Sequence, residues 1–266
     1  MAIIGSILGD IAGSQYEFYH PDDLDWKNCE LFTEKCVFTD DTVMSLAIKS
    51  AVDNGLDYQS EILRIGRKYP DCGYGGKFER WMFSENPRPY GSYGNGSAMR
   101  VSYLADYYDD LDILKQETAK ATLLSHNTDE GVKGAITIVT CIWMAKHEKT
   151  KDEIYDYVLE MYPSNQYEYS SMPIKELEYK YVEDVTCMTG VPAAARCFYE
   201  SDSYVSFLRN IFRFENDADT FGAMFGGVAE EYYGKTGLKD RKILEHYLDS
   251  FLLNILDGGD SGHEAI

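Results

Sequence analysis

Apolar residues recur along this chain at helical spacing. Over residues 3–17, Ile4, Ile7, Leu8 and Ile11 form one stripe. Met44, Ala47, Ile48 and Ala51 repeat at i, i+3, i+4 and i+7, and Ile62, Ile65 and Tyr69 continue the pattern. That period predicts amphipathic helices. Further helical segments are predicted near 112–124, 130–147, 151–162, 190–200, 203–213, 219–233 and 239–256. Strand-type alternation is nearly absent. The pattern therefore predicts an all-α domain of ten or more helices. The stretch 70–100 is the main interruption: it is rich in Gly, Tyr and Pro and reads as a long loop. Loops of that length are commonly functional, and the aromatics within it (Tyr74, Phe78, Trp81, Phe83, Tyr90, Tyr93) argue for order. Residues 258–266 read as a frayed tail after a domain spanning 1–257.

Glycine adds tertiary information. Gly5, Gly9 and Gly13 lie four apart on the first helix, and Gly222 and Gly226 do the same near the other end. Glycine inside a helix costs about 1 kcal/mol relative to alanine. A row of it on one face implies close approach by another helix. These two helices are expected near the centre, against each other, with their ends brought together.

Composition narrows the class. The 266 residues are 44% apolar and 14% aromatic, enough for a folded core. No apolar run reaches the 18 residues that a membrane helix needs. Met1 to Gly9 is apolar, but no basic stretch precedes it and Asp10 follows, which makes a poor signal peptide. The expectation is a cytoplasmic protein with no membrane partner. The six cysteines contain no C-x-x-C pair and read as buried free thiols. A formal charge of −20 repels long nucleic acid and concentrates cations.

Two acidic clusters carry candidate chemistry. Thr39-Asp40-Asp41-Thr42 precedes the helix starting near Val43, and Asp217-Ala218-Asp219-Thr220 precedes the helix starting near Phe221. Either alone reads as a helix cap. Together they supply four carboxylates and several hydroxyls, far more than two caps need. These are hard oxygen donors suited to Mg²⁺ or Mn²⁺, and two such ions form a common hydrolytic site. Asp10 reads as a buried N–H acceptor or as a residue facing the same way as Glu17, two turns on. Glu17 stands where the first helix ends, a position unfavourable for an acid. Tyr93 to Arg100 is a glycine-rich turn entering a helix, either an ordinary turn or a cradle for phosphate or ribose. Ser125-His126 follows the helix 112–124, with His126 either a helix cap or a ligand partner.

In order, Gly5-x-x-x-Gly9-Asp10, Glu17, Thr39-Asp40-Asp41-Thr42, Gly94-Asn95-Gly96-Ser97-Ala98-Met99-Arg100, Ser125-His126 and Asp217-x-Asp219-Thr220 resemble the ADP-ribosylglycohydrolase family. The resemblance runs from about residue 3 to Gly234. The stretches Tyr74 to Phe78 and Glu130 to Ala135 are similar to its bacterial branch, which includes the dinitrogenase reductase-activating glycohydrolase. The resemblance implies an all-α orthogonal bundle with a central metal cleft. It implies two Mg²⁺ or Mn²⁺ ions held by Thr39, Asp40, Asp41, Asp217, Asp219 and Thr220. Glu17 matches the catalytic glutamate, with Asp41 or Asp219 in support. Asn95, Gly96, Ser97, Met99 and His126 match positions lining the ADP-ribose pocket. The implied reaction hydrolyses the bond between C1″ of ADP-ribose and a protein or small-molecule acceptor, releasing ADP-ribose. Two other readings are a binuclear-metal hydrolase acting on a nucleotide or phosphoester, and a non-catalytic protein reusing the fold. One departure stands out: the family's two glycines before Asp-x-Asp-Thr are Glu215 and Asn216 here. Side chains there are expected to narrow the cleft or alter the acceptor.

Overall fold

The computed structural model describes residues 1–259. Fourteen α-helices account for most of them. They run α1 Ala2–Ser14, α2 Asp40–Asn54, α3 Tyr58–Gly66, α4 Gly76–Met82, α5 Ser102–Tyr107, α6 Leu111–Leu123 and α7 Asp129–Lys146. The second half holds α8 Lys151–Met161, α9 Ile174–Lys180, α10 Cys187–Tyr199, α11 Tyr204–Ile211, α12 Ala218–Tyr233, α13 Asp240–Tyr247 and α14 Ser250–Leu256. The only strand-like pairings among the described residues are two isolated bridges, Glu17 with Asn216 and Gly94 with Thr186. The all-α expectation holds.

Helices α1 and α12 form the centre. They pack antiparallel with backbones almost touching: a Cβ at Gly9 would meet the Gly222 carbonyl oxygen at 2.2 Å, and one at Gly5 would meet that of Gly226 at 2.4 Å. Only glycine permits this approach. α1 is buried on nearly every face, from Ala2 through Gly13. Its first amides are held by Asp106, which accepts from Ala2 N and Ile3 N at 2.8 and 3.0 Å. The antiparallel packing sets the C-terminal end of α1 beside the N-terminal start of α12. Phe18 N donates to Asn216 O at 3.0 Å and seals that junction.

Several boundaries differ from the pattern reading. The 70–100 stretch contains α4 and a 3₁₀ turn at Asn95–Ser97. The segment 239–256 is two helices, because Asp249 caps α14 by accepting from Phe251 N and Leu252 N. The short helices α5 and α9 lack a legible period. In the tail, Gly258 N and Gly259 N donate to Ile255 O and Asn254 O and close α14, while residues 260–266 lie outside the described residues. All six cysteines are free thiols, four of them buried. Among the described residues no helix is long and apolar enough to cross a membrane.

Candidate active site

Helix α2 points its N-terminus at the junction of α1 and α12. Thr39 is its N-cap, accepting from Asp41 N at 3.3 Å. Asp10 on α1 braces this turn. Its Oδ2 accepts from Thr39 N at 3.0 Å and Thr42 N at 3.1 Å and from the Thr42 hydroxyl, and its Oδ1 accepts from Thr39 Oγ1 at 2.7 Å. Asp10 is thus the buried N–H acceptor that its position allowed.

The second acidic motif meets the first here. Thr220 Oγ1 donates to Asp41 Oδ2 at 3.4 Å, joining residues 179 apart in sequence. Carboxylate oxygens of Asp10, Asp41 and Asp219 lie within 4.8 Å of one another, and so do those of Glu17, Asp217 and Asp219. Asp219 belongs to both trios. Asp217 occupies the N-cap position of α12 but makes no capping bond. Its Oδ2 instead accepts from Asn95 Nδ2 at 2.6 Å. Within this cluster, Asp41 Oδ1 is buried without any hydrogen-bond partner among the described residues. A buried acceptor left in that state costs free energy unless a cation or donor meets it.

Of these groups, Glu17, Asp217, Asp219 and Thr220 line the floor of a cavity of about 490 Å³, with Asp10 and Asp41 packed behind them; the volume falls within the ~300–1,000 Å³ range of small-ligand sites. Glu17, Asp40, Asp184, Asp217 and Asp219 face it, against the cations Lys77 and Arg100. Burial first and mutual repulsion second hold the acids protonated to unusually high pH in the metal-free protein. Asp10 is pushed up to about 6 by burial, despite its four donors. Glu17 is pushed up to about 7 by burial and then by Asp217 and Asp10. Asp40, Asp41 and Asp219 are raised well above the usual carboxylate range by burial and by neighbouring acids, and Asp217 is raised by burial. Bound cations would reverse that logic.

The walls come from three loops. Gly73, Gly75, Gly76, Lys77 and Phe78 form one side, with Phe78 stacked on Trp81 at 5.2 Å between centroids. Residues 90–96, Met99 and Arg100 form another, and Asp184 to Thr186 form the third. The last two are stitched together by Asn95 N donating to Val185 O at 3.0 Å and Cys187 N to Tyr93 O at 3.1 Å. Phe18 and Val185, both in left-handed backbone at φ 50° and 53°, stand exposed on the rim. Non-glycine residues held in that region carry strain, which collects at functional sites.

Of the residues singled out from sequence, Glu17, Asp40, Asn95, Gly96, Met99, His126, Asp217, Asp219 and Thr220 line the cavity. Thr39 and Asp41 lie behind that surface: Asp41 accepts from Thr220 of the lining, and Thr39 donates to Asp41 and to the buried Asp10. Ser97 does not face the cavity. It is fully buried, and its hydroxyl donates to Gly131 O at 2.8 Å, tying the glycine turn to α7. The expected narrowing by residues 215 and 216 is also corrected. Glu215 is exposed, and Asn216 is buried with its amide on Ile211 O at 2.8 Å and Phe214 O at 2.6 Å. Neither lines the cavity, and neither needs a positive φ.

Sequence reasoning missed Glu183. Its Oε2 accepts from Asp217 N at 3.1 Å and its Oε1 from Val185 N at 2.6 Å, so one acid fixes both the floor and the rim. An acid in an irregular, charged loop gives no periodic signal. Arg100 was visible only as the end of the glycine-rich motif, yet it is a fully buried guanidinium at the cavity wall.

The chain resembles proteins of one kind along nearly its whole length. The model for ADP-ribosylglycohydrolase matches residues 1–256. The ADP-ribosylhydrolase ARH3 of Xenopus tropicalis is 24% identical over 305 aligned positions, covering 88% of this chain and 86% of that protein. The human ADP-ribosylhydrolase ARH3 is 28% identical over 57% of this chain and half of its own length. A solved chain of an ADP-ribosylglycohydrolase-related protein complex shares the fold, with a TM-score of 0.73 at 18% identity over 98% of this chain and 94% of that one. With its matching family model spanning residues 1–256 and two acidic motifs closing over one cavity, this chain belongs to the ADP-ribosylglycohydrolase family.

Proposed function

We propose that the protein is a metal-dependent hydrolase that cleaves the glycosidic bond between C1″ of ADP-ribose and an acceptor, releasing free ADP-ribose. The observation that carries this reading is the convergence of the two acidic motifs on Asp219, whose oxygens lie within 4.8 Å of both Asp10–Asp41 and Glu17–Asp217. The donor set fits a hard cation. It is all oxygen, it includes the unpartnered Asp41 Oδ1, and it has too few cations nearby to balance it. Thr39, Asp40, Asp41, Asp217, Asp219 and Thr220 would hold two Mg²⁺ or Mn²⁺ ions. Bound there, the ions supply Lewis acidity toward hydroxyl oxygens and a water of lowered pKa.

The chain's own residues do the rest. Glu17 faces the cavity with a carboxyl that no described residue hydrogen-bonds, so it is free to hold or hand over a proton at the scissile oxygen. Asp41 or Asp219 supports it by stabilising the positive charge that grows on the sugar ring. Asn95 orients Asp217 through their 2.6 Å hydrogen bond. Gly96 and Met99 line the pocket beside it, and His126 offers a ring nitrogen to the ligand. Tyr90 and Phe78 provide flat apolar walls for a purine base. Ser97 supports the turn from behind.

The test is a panel of ADP-ribosylated acceptors (arginine, serine, ester, guanidine and nucleic-acid ends) incubated with Mg²⁺, Mn²⁺ or chelator. Metal-dependent release of ADP-ribose from at least one member is expected. Release of AMP or inorganic phosphate instead would favour a phosphoesterase, and no product with either metal would overturn the reading.

A further inference from the structure

Behind the cavity wall lies a three-residue chain of hydrogen bonds. Arg100 Nη2 is 3.1 Å from Ser125 Oγ and 3.2 Å from Ala121 O. Ser125 Oγ is 2.8 Å from His126 Nδ1. Arg100 and Ser125 are both essentially inaccessible, and His126 is 4% exposed.

The proton positions follow from donor and acceptor capacity. A guanidinium only donates, so Ser125 Oγ accepts from Arg100. Among the described residues the serine proton then has one hydrogen-bond acceptor, Nδ1. The reverse assignment, with Nδ1–H donating to Oγ, leaves a buried hydroxyl proton with no acceptor. Nδ1 therefore accepts, and the single proton of the neutral imidazole sits on Nε2. Burial and the Arg100 charge both hold the ring pKa well below its ordinary value, in keeping with a neutral ring. No described residue hydrogen-bonds Nε2. It opens beside the glycine turn, where a Cβ at Gly96 would sit 3.4 Å from it and one at Gly94 3.7 Å. The glycines keep clear the space that a ligand oxygen would occupy.

We propose that Arg100, acting through Ser125, is a positioning residue that locks His126 in its Nε2–H form, so that the cavity presents a neutral hydrogen-bond donor to a phosphate oxygen of the bound nucleotide. The identity of that nucleotide as ADP-ribose rests on the functional reading above; the lock itself does not.

Long-range ¹H–¹⁵N correlation of the histidine rings decides the matter, with His126 assigned by loss of its signals in His126→Gln. The wild-type ring is expected with a bare Nδ1 and a protonated Nε2, unchanged from pH 8 to pH 6. Ser125→Ala should give a mixture of tautomers and weaken ADP-ribose binding about tenfold by calorimetry, while Ser125→Thr should restore both. A wild-type ring protonated on Nδ1 would overturn the proposal even if every variant misfolded. So would a Ser125→Ala protein whose tautomer matches the wild type. A locked Nε2–H ring in a protein that binds no ADP-ribose would uphold the lock and sink the reading of the pocket.

Discussion

At the scale of single residues, Glu17 and Asp219 separate chemistry from assembly. Glu17→Gln keeps the shape of the side chain and removes its acid–base function. It should leave fold and Mg²⁺ binding near wild type and lower turnover at least about 100-fold; near-wild-type release of ADP-ribose in a product assay would refute the role. Asp219→Asn should instead raise the stability of the metal-free fold. It removes a buried carboxyl that Asp217 and Asp41 repel, so the chelated protein at pH 7 should melt a few degrees higher. It should also abolish the rise in Tm that Mg²⁺ gives the wild type, because Asp219 is the oxygen donor shared by both trios. Calorimetric melting with and without Mg²⁺ reads both effects. The sequence made Asp219 legible because two matching acid–hydroxyl motifs exceed what caps require. It did not separate Asn95, which faces the cavity, from Ser97, which turns inward to Gly131 O. Both sit on one 3₁₀ turn, and which face looks inward is decided by α7, far off in sequence. The inward orientation of Asn216 was hidden because its partners, Ile211 O and Phe214 O, are backbone carbonyls that leave no side-chain pattern.

At the scale of elements, the α1–α12 contact determines whether the acids meet at all. A Cβ at Gly222 would fall 2.2 Å from Gly9 O. Gly222→Ala must therefore push two central helices apart. The cost should be about 3 kcal/mol, the upper end for overpacking, lowering Tm by roughly 6–12 °C for a chain of this size. The same displacement draws Asp219 away from Asp10 and Asp41, so the Mg²⁺ affinity should fall with it. An alanine variant with wild-type Tm and Mg²⁺ affinity would show that the helix contact does not set the site. This contact was readable from glycine spacing, because helix-interior glycine is costly without a close neighbour. The short helices were not readable. A seven-residue helix such as α4 or α9 spans two turns, too few to show a period. The break at Asp249 was hidden because the residues around it are apolar on both sides, and only the cap geometry reveals two helices.

At the scale of the whole molecule, the site couples stability to pH and to metal. In the folded, metal-free protein the clustered carboxyls keep their protons to higher pH than in the unfolded chain: Asp10 to about 6 against 3.8, Glu17 to about 7 against 4.5, and the other acids of the floor also raised. Between about pH 4 and 7 the folded state binds more protons than the unfolded state. Its stability is then fullest below the unfolded values and is lost as pH rises through the folded ones. His126 works the other way, since a base with a lowered pKa loses stability as pH falls below 6.5. It is one group against six. Surface acids with lowered pKa, such as Glu153 at about 2, lose their contribution only under stronger acid. The chelated protein should therefore melt highest near pH 5 and lower by roughly 5–10 °C at pH 8, an interval of a few kcal/mol. The net charge of −20 acts in the same direction at high pH. Saturating Mg²⁺ should change the sign of the trend. It binds deprotonated carboxylates and so releases protons, and an ion at 100 times its Kd adds about 2.7 kcal/mol. The rise in Tm on adding Mg²⁺ should thus be small at pH 5 and largest at pH 8, with proton release visible in buffers of different ionisation enthalpy. Equal Mg²⁺ effects at both pH values would mean that the ions bind surface acids, and that the buried carboxylates between α1, α2 and α12 do not hold them.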